Sequence, residues 1–315
     1  MKEIGGYFEL EQLVKNEYYP ELIALNSARY ALVYLLRARG IKKIALPYLL
    51  CHSVERACRE EGCEVVFYEI GEDFRPCTEG LSDDVCLYLV NYYGQLSDAE
   101  IAVYQSRSGG VILDHVQAFF QKPISGVDTI YSCRKFFGVP DGAYLATDVH
   151  LDEVLPEDIS MERTEHLLGR FEKGSASDYY SAFKANDAAF TAAGLRKMSR
   201  LTHNLLGAID YEAACAKRLQ NYALLSKAFE EINPLRLSMP VGPFAYPLYL
   251  ENGAEMKQKL AYRHIYVPTL WPDDQARKSP KAWLTAQNIL PLPCDQRYGE
   301  TEMLTVIDEV KRCIV

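Results

Sequence analysis

Short apolar runs alternate with helix-length segments in the first half of the chain, and this alternation restricts the fold more than any other feature. The runs KIALP, EVVFYEI, CLYLV and VILD are short and rich in branched side chains, as buried strands are. Helices are predicted between them, at residues 53–61 and after Ser97. Since a helix between two strands favours parallel pairing, the sequence predicts an α/β protein with a mostly parallel, doubly wound sheet.

Capping residues mark where two helices begin. Ser27 precedes a run of apolar residues at helical spacing that stops at Gly40, and Ser97 with Glu100 forms a capping box. The first turn after Ser27 has free backbone N–H groups that suit an anion, and Ser27 and Arg29 could add a hydroxyl and a charge. The alternative at this position is an ordinary serine cap without a ligand.

The second half of the chain has a different pattern. Long helical periodicity covers SDYYSAFKANDAAFTAAGLRKMSRL and then YEAACAKRLQNYALLSKAFEEI. Strands punctuated by proline are predicted at FAYPLYL and HIYVPTLW, with helices at residues 255–262 and 300–312. These elements predict a smaller C-terminal α+β domain, residues 206–315, beside a large domain, residues 1–205.

Composition excludes several classes of protein. Hydrophobic residues make up 49 % of the 315 residues, which suffices for buried cores, and the formal net charge is −9. Nucleic acid or an anionic membrane would require a clustered positive surface, so neither partner is expected. No signal peptide or membrane span is evident, which predicts a cytoplasmic protein. The nine cysteines include no Cys-x-x-Cys pair, so buried thiols are expected, without a disulfide framework or a metal site.

Two strand ends in the stretch from Val111 to Leu145 form the candidate active site. Asp114 closes one apolar run, and Lys135 follows the next. Parallel strands present side chains at their carboxyl ends, so an acid and a lysine can meet there across a pyridoxal phosphate (PLP) ring. Gln117 could reach the phenolic oxygen of that ring, and Ser132 could reach its phosphate. The alternatives are an acidic helix cap and an ordinary surface lysine.

Several segments in their order along the chain resemble one family, the PLP-dependent sugar aminotransferases of the DegT/StrS type. They are GGYFELE, LNSARYAL, LPYLLCHSVERACREEGCEVVFYEI, LVNYYGQLSD, VILDHVQAF, GLRKMS, AYPLYL and ILPLPCDQRY. The resemblance covers nearly the whole chain. It implies the type I (aspartate-aminotransferase) fold, in which helices sandwich the large sheet, and a homodimer with composite active sites.

The resemblance also implies roles for individual residues. Lys135 would form the internal aldimine, and Asp114 would bind the pyridine nitrogen. The other implied cofactor contacts are Ser27, Ala28, Arg29, Cys51, His52, Asn91, Gln117 and Ser132. Cys51 stands where the family has an aromatic residue on the ring, so His52, Tyr48 or the Tyr92–Tyr93 pair could stack there instead. Tyr93, Arg196 and Arg297 are candidate substrate contacts. The planar guanidinium of each arginine suits a carboxylate or a phosphate, and the alternative for both is a structural salt bridge.

The implied activity is transfer of an amino group from an amino acid, glutamate by resemblance, to a keto-sugar. The sugar is expected to be nucleotide-linked and to serve polysaccharide or glycosylated-metabolite synthesis. Three alternatives remain: a PLP-dependent lyase or dehydratase, a non-catalytic PLP-binding regulator, and a cysteine hydrolase using Cys51 and His52. The retained Lys135 argues against the dehydratase relatives, which have histidine there. Adjacent residues such as Cys51 and His52 diverge in a regular element, which argues against the hydrolase.

Overall fold

The computed structural model describes residues 4–107, 109–271 and 279–314. Eight strands form one sheet in the order β1-β8-β7-β6-β5-β2-β3-β4, and β9 pairs with β10 in a separate two-stranded sheet. The strands are β1 (Ile23–Leu25), β2 (Lys43–Pro47), β3 (Glu64–Ile70), β4 (Pro76–Cys77), β5 (Cys86–Val90), β6 (Val111–Asp114), β7 (Asp128–Ser132), β8 (Ala143–Ala146), β9 (Ala245–Tyr249) and β10 (Ile289–Pro293).

Helices connect and cover these strands. The α-helices within the described ranges are α1 (Ala28–Arg39), α2 (His52–Glu60), α3 (Asp98–Gln105), α4 (Glu165–Lys173), α5 (Tyr180–Ala189), α6 (Arg200–Leu206), α7 (Tyr211–Phe229), α8 (Gly253–Tyr262), α9 (Pro280–Asn288) and α10 (Glu300–Ile314). The predicted caps are confirmed: the Ser27 hydroxyl accepts from Tyr30 N, and Gly40 ends α1 in the left-handed conformation at φ 63°. The capping box of Ser97 and Glu100 is also formed.

The predicted parallel sheet is confirmed. Strands β2, β3, β5, β6 and β7 pair in parallel, whereas β8 runs antiparallel to β7 and β1 antiparallel to β8. Side chains alternate across the two faces, as the pleat requires. On β7, Ile130 joins the core under α1, whereas Tyr131 joins an aromatic cluster on the opposite face with Phe119, Phe136 and Phe137. The carboxyl ends of the parallel strands therefore open on one edge between two buried layers.

A second core lies in the C-terminal part of the chain. It is formed by side chains of α7, α8, α10 and the β9–β10 pair, including Tyr222, Leu248, Leu290 and Val310. Helix α7 belongs to both cores, because its first residue, Tyr211, packs in the aromatic cluster of the sheet. The boundary proposed after residue 205 falls within α6, shortly before this bridging helix.

Two predictions of secondary structure are wrong. HIYVPTLW, residues 264–271, forms no strand; the partner of β9 is β10, in which Pro291 lies opposite Pro247. The long helix predicted from Ser177 is interrupted between α5 and α6, where Gly194 has φ 73°. The backbone of this segment pairs with another part of the chain, because the Arg196 carbonyl accepts a hydrogen bond from Asn26 N next to β1.

Gly142 joins the ends of three strands and predicts a measurable cost of substitution. Its N–H donates to the Asn26 carbonyl, its own carbonyl accepts from Cys133 N, and its φ is 113°. An added Cβ would lie 3.0 Å from Thr202 Cγ2 and 3.3 Å from Cys133 Cβ. We expect Gly142→Ala to lower the free energy of unfolding by about 2–3 kcal/mol in urea titrations.

Gly174 provides the control for this substitution. It also has a positive φ, 69°, but an added Cβ would meet nothing within 4 Å. Gly174→Ala should therefore cost only about 1 kcal/mol, the penalty of the backbone conformation itself. Equal losses in the two variants would contradict the role of the close packing around Gly142.

Candidate active site

The strand register places Asp114, Lys135 and the start of α1 at one edge of the sheet. Asp114 pairs with Val90 on β5 and with Ile130 on β7, so β5, β6 and β7 end at the same edge. On the other side, Ser132 pairs with Ala143, which in turn pairs with Leu25 of β1. The first turn of α1 follows β1 directly, so this turn lies at the same edge as Asp114 and Lys135.

Asp114 is a buried carboxylate, with 6 % of its surface exposed. It accepts hydrogen bonds from the Tyr88 hydroxyl at 2.8 Å and from Val116 N at 2.8 Å. Burial raises the pKa of Asp114 to about 6, although these two hydrogen bonds and the positive charge of Lys135 act to lower the pKa. A carboxylate in this state is stabilised by any additional cation placed against it.

Lys135 ends a short 3₁₀ turn, Cys133–Lys135, directly after β7. Its neighbours Phe136 and Phe137 are buried in the aromatic cluster, whereas the lysine side chain is exposed. The turn is held by Phe136 N and Phe137 N, which both donate to the Cys133 carbonyl. The Ser132 side chain makes no hydrogen bond that caps this turn. A fixed backbone therefore presents a free amine and a hydroxyl at the sheet edge.

The start of α1 carries buried donors that lack acceptors. Nε and Nη1 of the partly buried Arg29 are shielded from solvent and have no hydrogen-bond partner among the described residues, and Ser27 is 9 % exposed at the helix cap. Buried guanidinium nitrogens without acceptors are costly, so this end of the helix is chemically suited to an anion. Ala28 occupies the first helical position, where its N–H adds to the free backbone donors. These residues fit a phosphate group.

Gln117, Asn91 and Tyr93 form a buried scaffold beside Asp114. The Gln117 side-chain oxygen accepts from Tyr93 N at 2.9 Å and so holds Tyr93 at its positive φ of 53°. The Asn91 amide donates to Gln121 Oε1 at 2.8 Å and accepts from Leu96 N at 2.8 Å. The Asn91 side chain thus forms its hydrogen bonds with other protein groups, and its contact with a cofactor stays a prediction.

The residues before and at the start of α2 lie nearer to solvent. Cys51 is exposed and its Sγ lies 3.1 Å from Ser53 Oγ. His52 is exposed and its Nδ1 lies 3.7 Å from Glu55 Oε2. Tyr48 stacks on Phe67 with ring centroids 5.1 Å apart. Which of these side chains covers a cofactor ring therefore stays open.

The two arginines that are candidates for substrate contact or a structural salt bridge both have partners within the protein. Arg297 forms a two-pronged ion pair with Asp295, at 2.7 and 2.9 Å. Arg196 Nε donates to the Ala193 carbonyl at 2.8 Å. Neither guanidinium is free in the way that Arg29 is, so their substrate contacts also stay predictions.

Sequence reasoning missed two residues that shape the site. Tyr88, at the centre of β5, supplies the hydroxyl beneath Asp114, and the parallel register of β5 and β6 was the signal for it. Asn26 is fully buried; its backbone N–H donates to the Arg196 carbonyl, its carbonyl accepts from Gly142, and its side-chain amide donates to the Gly194 carbonyl. It precedes Ser27 and fixes the start of α1 in place.

Along residues 4–107, 109–271 and 279–314, no helix combines the length and the apolar character that a membrane span requires. No group of three or more His, Cys, Asp or Glu side chains in these ranges could hold a metal ion. All nine cysteines are free thiols.

Solved structures share this architecture. DesV from S. venezuelae is similar at 19 % identity with a TM-score of 0.63, over 92 % of this chain and 84 % of that one. The putative sugar aminotransferase Spr1654 from Streptococcus pneumoniae, in its PLP form, is similar at 15 % identity with a TM-score of 0.66, over 93 % and 86 %. A DegT DnrJ EryC1 StrS aminotransferase from Brucella abortus is similar at 16 % identity with a TM-score of 0.63, over 92 % and 85 %.

These similarities confirm the predicted fold. No family model matches the chain, and no curated protein matches it either. The solved structures cover more than nine tenths of the chain, so the likeness includes both the large sheet and the C-terminal core. The chain therefore has the type I fold of PLP-dependent aminotransferases. At these identities the likeness concerns the fold alone.

Asp114 generates a prediction about stability and pH. Its pKa of about 6 lies above the usual 3.8, so the protonated carboxyl favours folding, and this contribution is lost as the pH rises through 6. We expect Asp114→Asn to stabilise the cofactor-free protein by about 1–3 kcal/mol at pH 8. The difference should shrink towards pH 4, where both side chains are neutral.

Urea unfolding of cofactor-free protein between pH 4 and pH 8 measures this effect. Asp128→Asn is the control, because Asp128 is a buried carboxylate at the start of β7 that binds Arg39 at 2.6 and 2.8 Å. Removing that charge deprives Arg39 of the more buried of its two carboxylate partners, Asp128 and Asp148, so this variant should be less stable at pH 8. A lower free energy of unfolding for Asp114→Asn at pH 8 would show that the interactions of the Asp114 carboxylate outweigh the cost of its burial.

Proposed function

We propose that this chain is a PLP-dependent aminotransferase of the DegT/StrS type. The observation that carries the proposal is the alignment of Asp114, Lys135 and the first turn of α1 at one edge of the sheet. An acid, an amine and a set of anion-binding donors are the three groups that PLP requires. The unpaired guanidinium of Arg29 supports the phosphate end of this assignment.

Each end of the cofactor has candidate partners in this chain. Asp114 would accept the N–H of the ring nitrogen and hold its proton there, which a buried carboxylate does well. Ser27, Arg29 and Ser132 would bind the phosphate, and Gln117 lies in the scaffold next to Asp114. When bound, PLP supplies an electron-withdrawing ring that stabilises negative charge on a substrate carbon.

Lys135 is the proposed general base. Its amine is exposed, and within the described residues it has no hydrogen bond or ion pair that would need to be broken. The buried side chains of Phe136 and Phe137 hold the backbone on which it moves. In the proposed reaction the Lys135 amine removes the proton from the α-carbon of the amino donor and returns a proton to the acceptor carbon. Both half-reactions use the Lys135 amine, so the amino donor and the keto-sugar acceptor bind one after the other.

The proposed donor is an amino acid, by resemblance glutamate, and the proposed acceptor is a keto-sugar. The solved sugar aminotransferases with this fold support the sugar class. A nucleotide on the sugar and a role in polysaccharide or glycosylated-metabolite synthesis are the further parts of the proposal. Tyr93, Arg196 and Arg297 are its candidate substrate contacts. A cytoplasmic location is the last part of the proposal.

A homodimer with composite active sites also belongs to the proposal, and two helices support it. The only residue that α4 and α5 bury is Asn186, while Leu168, Phe171, Tyr180 and Phe183 remain exposed on them. An apolar surface of this kind on a soluble chain favours a protein partner. Arg134 Nη1 binds Asp187 of α5 at 3.2 Å, so a second copy docked there would lie near the Lys135 turn.

Lys135 provides the central test. Wild-type protein with PLP should acquire a visible absorbance band, and borohydride reduction with peptide mapping should place the cofactor on Lys135. Lys135→Ala and Lys135→Arg should both lose the label and reduce turnover by at least about 10³-fold, because neither can replace the amine. Glutamate alone should convert wild-type cofactor to its amino form.

The acceptor is tested in the same experiment. Keto-sugar nucleotides are added one at a time to the amino form, and the discharge of that form identifies the substrate. An unchanged spectrum in Lys135→Ala would remove the central claim. Bound cofactor that no amino donor converts would favour a non-catalytic protein instead.

Arg29 predicts how the phosphate is recognised. Arg29→Ala should weaken PLP binding by about 10–100-fold, because a charge-assisted contact to phosphate is lost. Binding of pyridoxal, which lacks the phosphate, should change little in this variant. Arg37→Ala on the exposed face of the same helix is the control and should leave both affinities unchanged. Fluorescence titration of the wild type and both variants with each ligand gives these six affinities, and equal weakening for both ligands in Arg29→Ala would contradict a phosphate contact.

A further inference from the structure

Arg218, in the middle of α7, is an unusually buried cation. Only 1 % of its surface is exposed, and burial lowers the pKa of its guanidinium. Its hydrogen-bond partners are all neutral: Gln296 Oε1 at 2.7 Å and the carbonyls of Pro243, Phe244 and Phe136 at 2.8, 3.4 and 3.0 Å. A buried cation without a direct carboxylate partner is costly. Such a side chain is expected to serve a purpose that an apolar residue could not.

The partners of Arg218 belong to two different parts of the molecule. The Pro243 and Phe244 carbonyls and Gln296 flank the β9–β10 pair of the C-terminal core. The Phe136 carbonyl lies in the sheet domain, one residue after Lys135. The guanidinium also covers the Phe136 ring, with 4.5 Å from Cζ to the centroid. Arg218 therefore binds the C-terminal core to the lysine turn.

Gln296 completes this connection. Its Nε2 donates to the same Phe136 carbonyl at 2.9 Å, while its Oε1 accepts from Arg218 Nε. Two donors thus converge on one carbonyl oxygen, and each also fixes the other. On its other side the lysine turn is held by Cys133 N, which donates to the Gly142 carbonyl. The backbone on either side of Lys135 is restrained, although its side chain has no partner among the described residues.

We propose that Arg218 is a positioning residue for Lys135, which it orients by fixing the Phe136 carbonyl from α7. The proposal rests on the proposed function, since it gives Lys135 its role. Because Arg218 reaches both parts, a shift of the C-terminal core relative to the sheet moves the peptide next to Lys135.

Asn221, three residues further along α7, shows what a merely structural role looks like. It is as buried as Arg218, and its amide donates to the carbonyls of Cys294, Asp295 and Tyr298. All three acceptors lie in the C-terminal part, and none in the lysine turn. Asn221 is therefore a matched control: it shares the helix, the burial and the neighbouring loop but has no hydrogen bond to Phe136.

The first experiment measures amide hydrogen exchange in cofactor-free Arg218→Met, Gln296→Glu and Asn221→Leu proteins. Methionine keeps most of the arginine volume, and glutamate keeps the acceptor for Arg218 but loses the donor to Phe136. We expect the Phe136 and Phe137 amides to exchange at least tenfold faster in Arg218→Met and several-fold faster in Gln296→Glu. Asn221→Leu should leave these two amides at the wild-type rate.

The second experiment measures chemistry at Lys135. In Arg218→Met and Arg218→Lys we expect the pH midpoint of the visible absorbance change of bound PLP to shift, and kcat to fall at least tenfold with little change in KM. Asn221→Leu should alter neither. Thermal unfolding of each variant identifies any that fail to fold, and Arg218→Lys then replaces Arg218→Met in the comparison.

The outcomes separate the two proposals. If PLP does not attach to Lys135 in the wild type, the proposed function fails, while the exchange rates still decide whether Arg218 fixes the turn. If the Arg218 and Asn221 variants change exchange, absorbance and kcat equally, Arg218 is a general packing residue and the inference is overturned. Unchanged exchange at Phe136 and Phe137 in Arg218→Met would overturn it as well.

Discussion

The desolvation of Asp114 is the constraint on which the rest of the site depends. Its carboxylate ends β6 between two buried layers, and hydrogen bonds from Tyr88 and Val116 only partly offset the loss of water. Among the described residues, no cationic side chain forms a hydrogen bond with the Asp114 carboxylate. A protonated ring nitrogen is a cation that would do so. Desolvation of Asp114 thus lowers the free energy of unfolding of the cofactor-free protein, and binding of a cofactor with that charge would offset this loss.

The parts of the site that the sequence predicts are those encoded locally. Ser27 with Gly40 marks both ends of α1, and VILD, whose last residue is Asp114, marks a strand and its polar end. Because parallel strands end on one edge, these local signals also place Asp114 and Lys135 together. Tyr88 beneath Asp114 depends on register between strands 26 residues apart in sequence, which periodicity alone does not give.

The C-terminal part shows where local reasoning fails. Pro291 and Pro293 argue against a strand at β10, yet in a two-stranded sheet the positions without a ladder bond tolerate proline. The helix predicted through Gly194 is interrupted by a tertiary contact, in which Asn26 N donates to the Arg196 carbonyl. Arg218 is the clearest case. Within an amphipathic helix it resembles any surface arginine, and only the packing of two cores around it reveals its burial.

The architecture concentrates positive charge where an acidic protein otherwise lacks it. The chain carries a net charge of −9, yet the start of α1 combines free N–H groups, the positive end of the helix dipole and the unpaired Arg29. A guanidinium supplied from within the chain can therefore balance the charge of a phosphate at this helix end, although the protein as a whole is acidic.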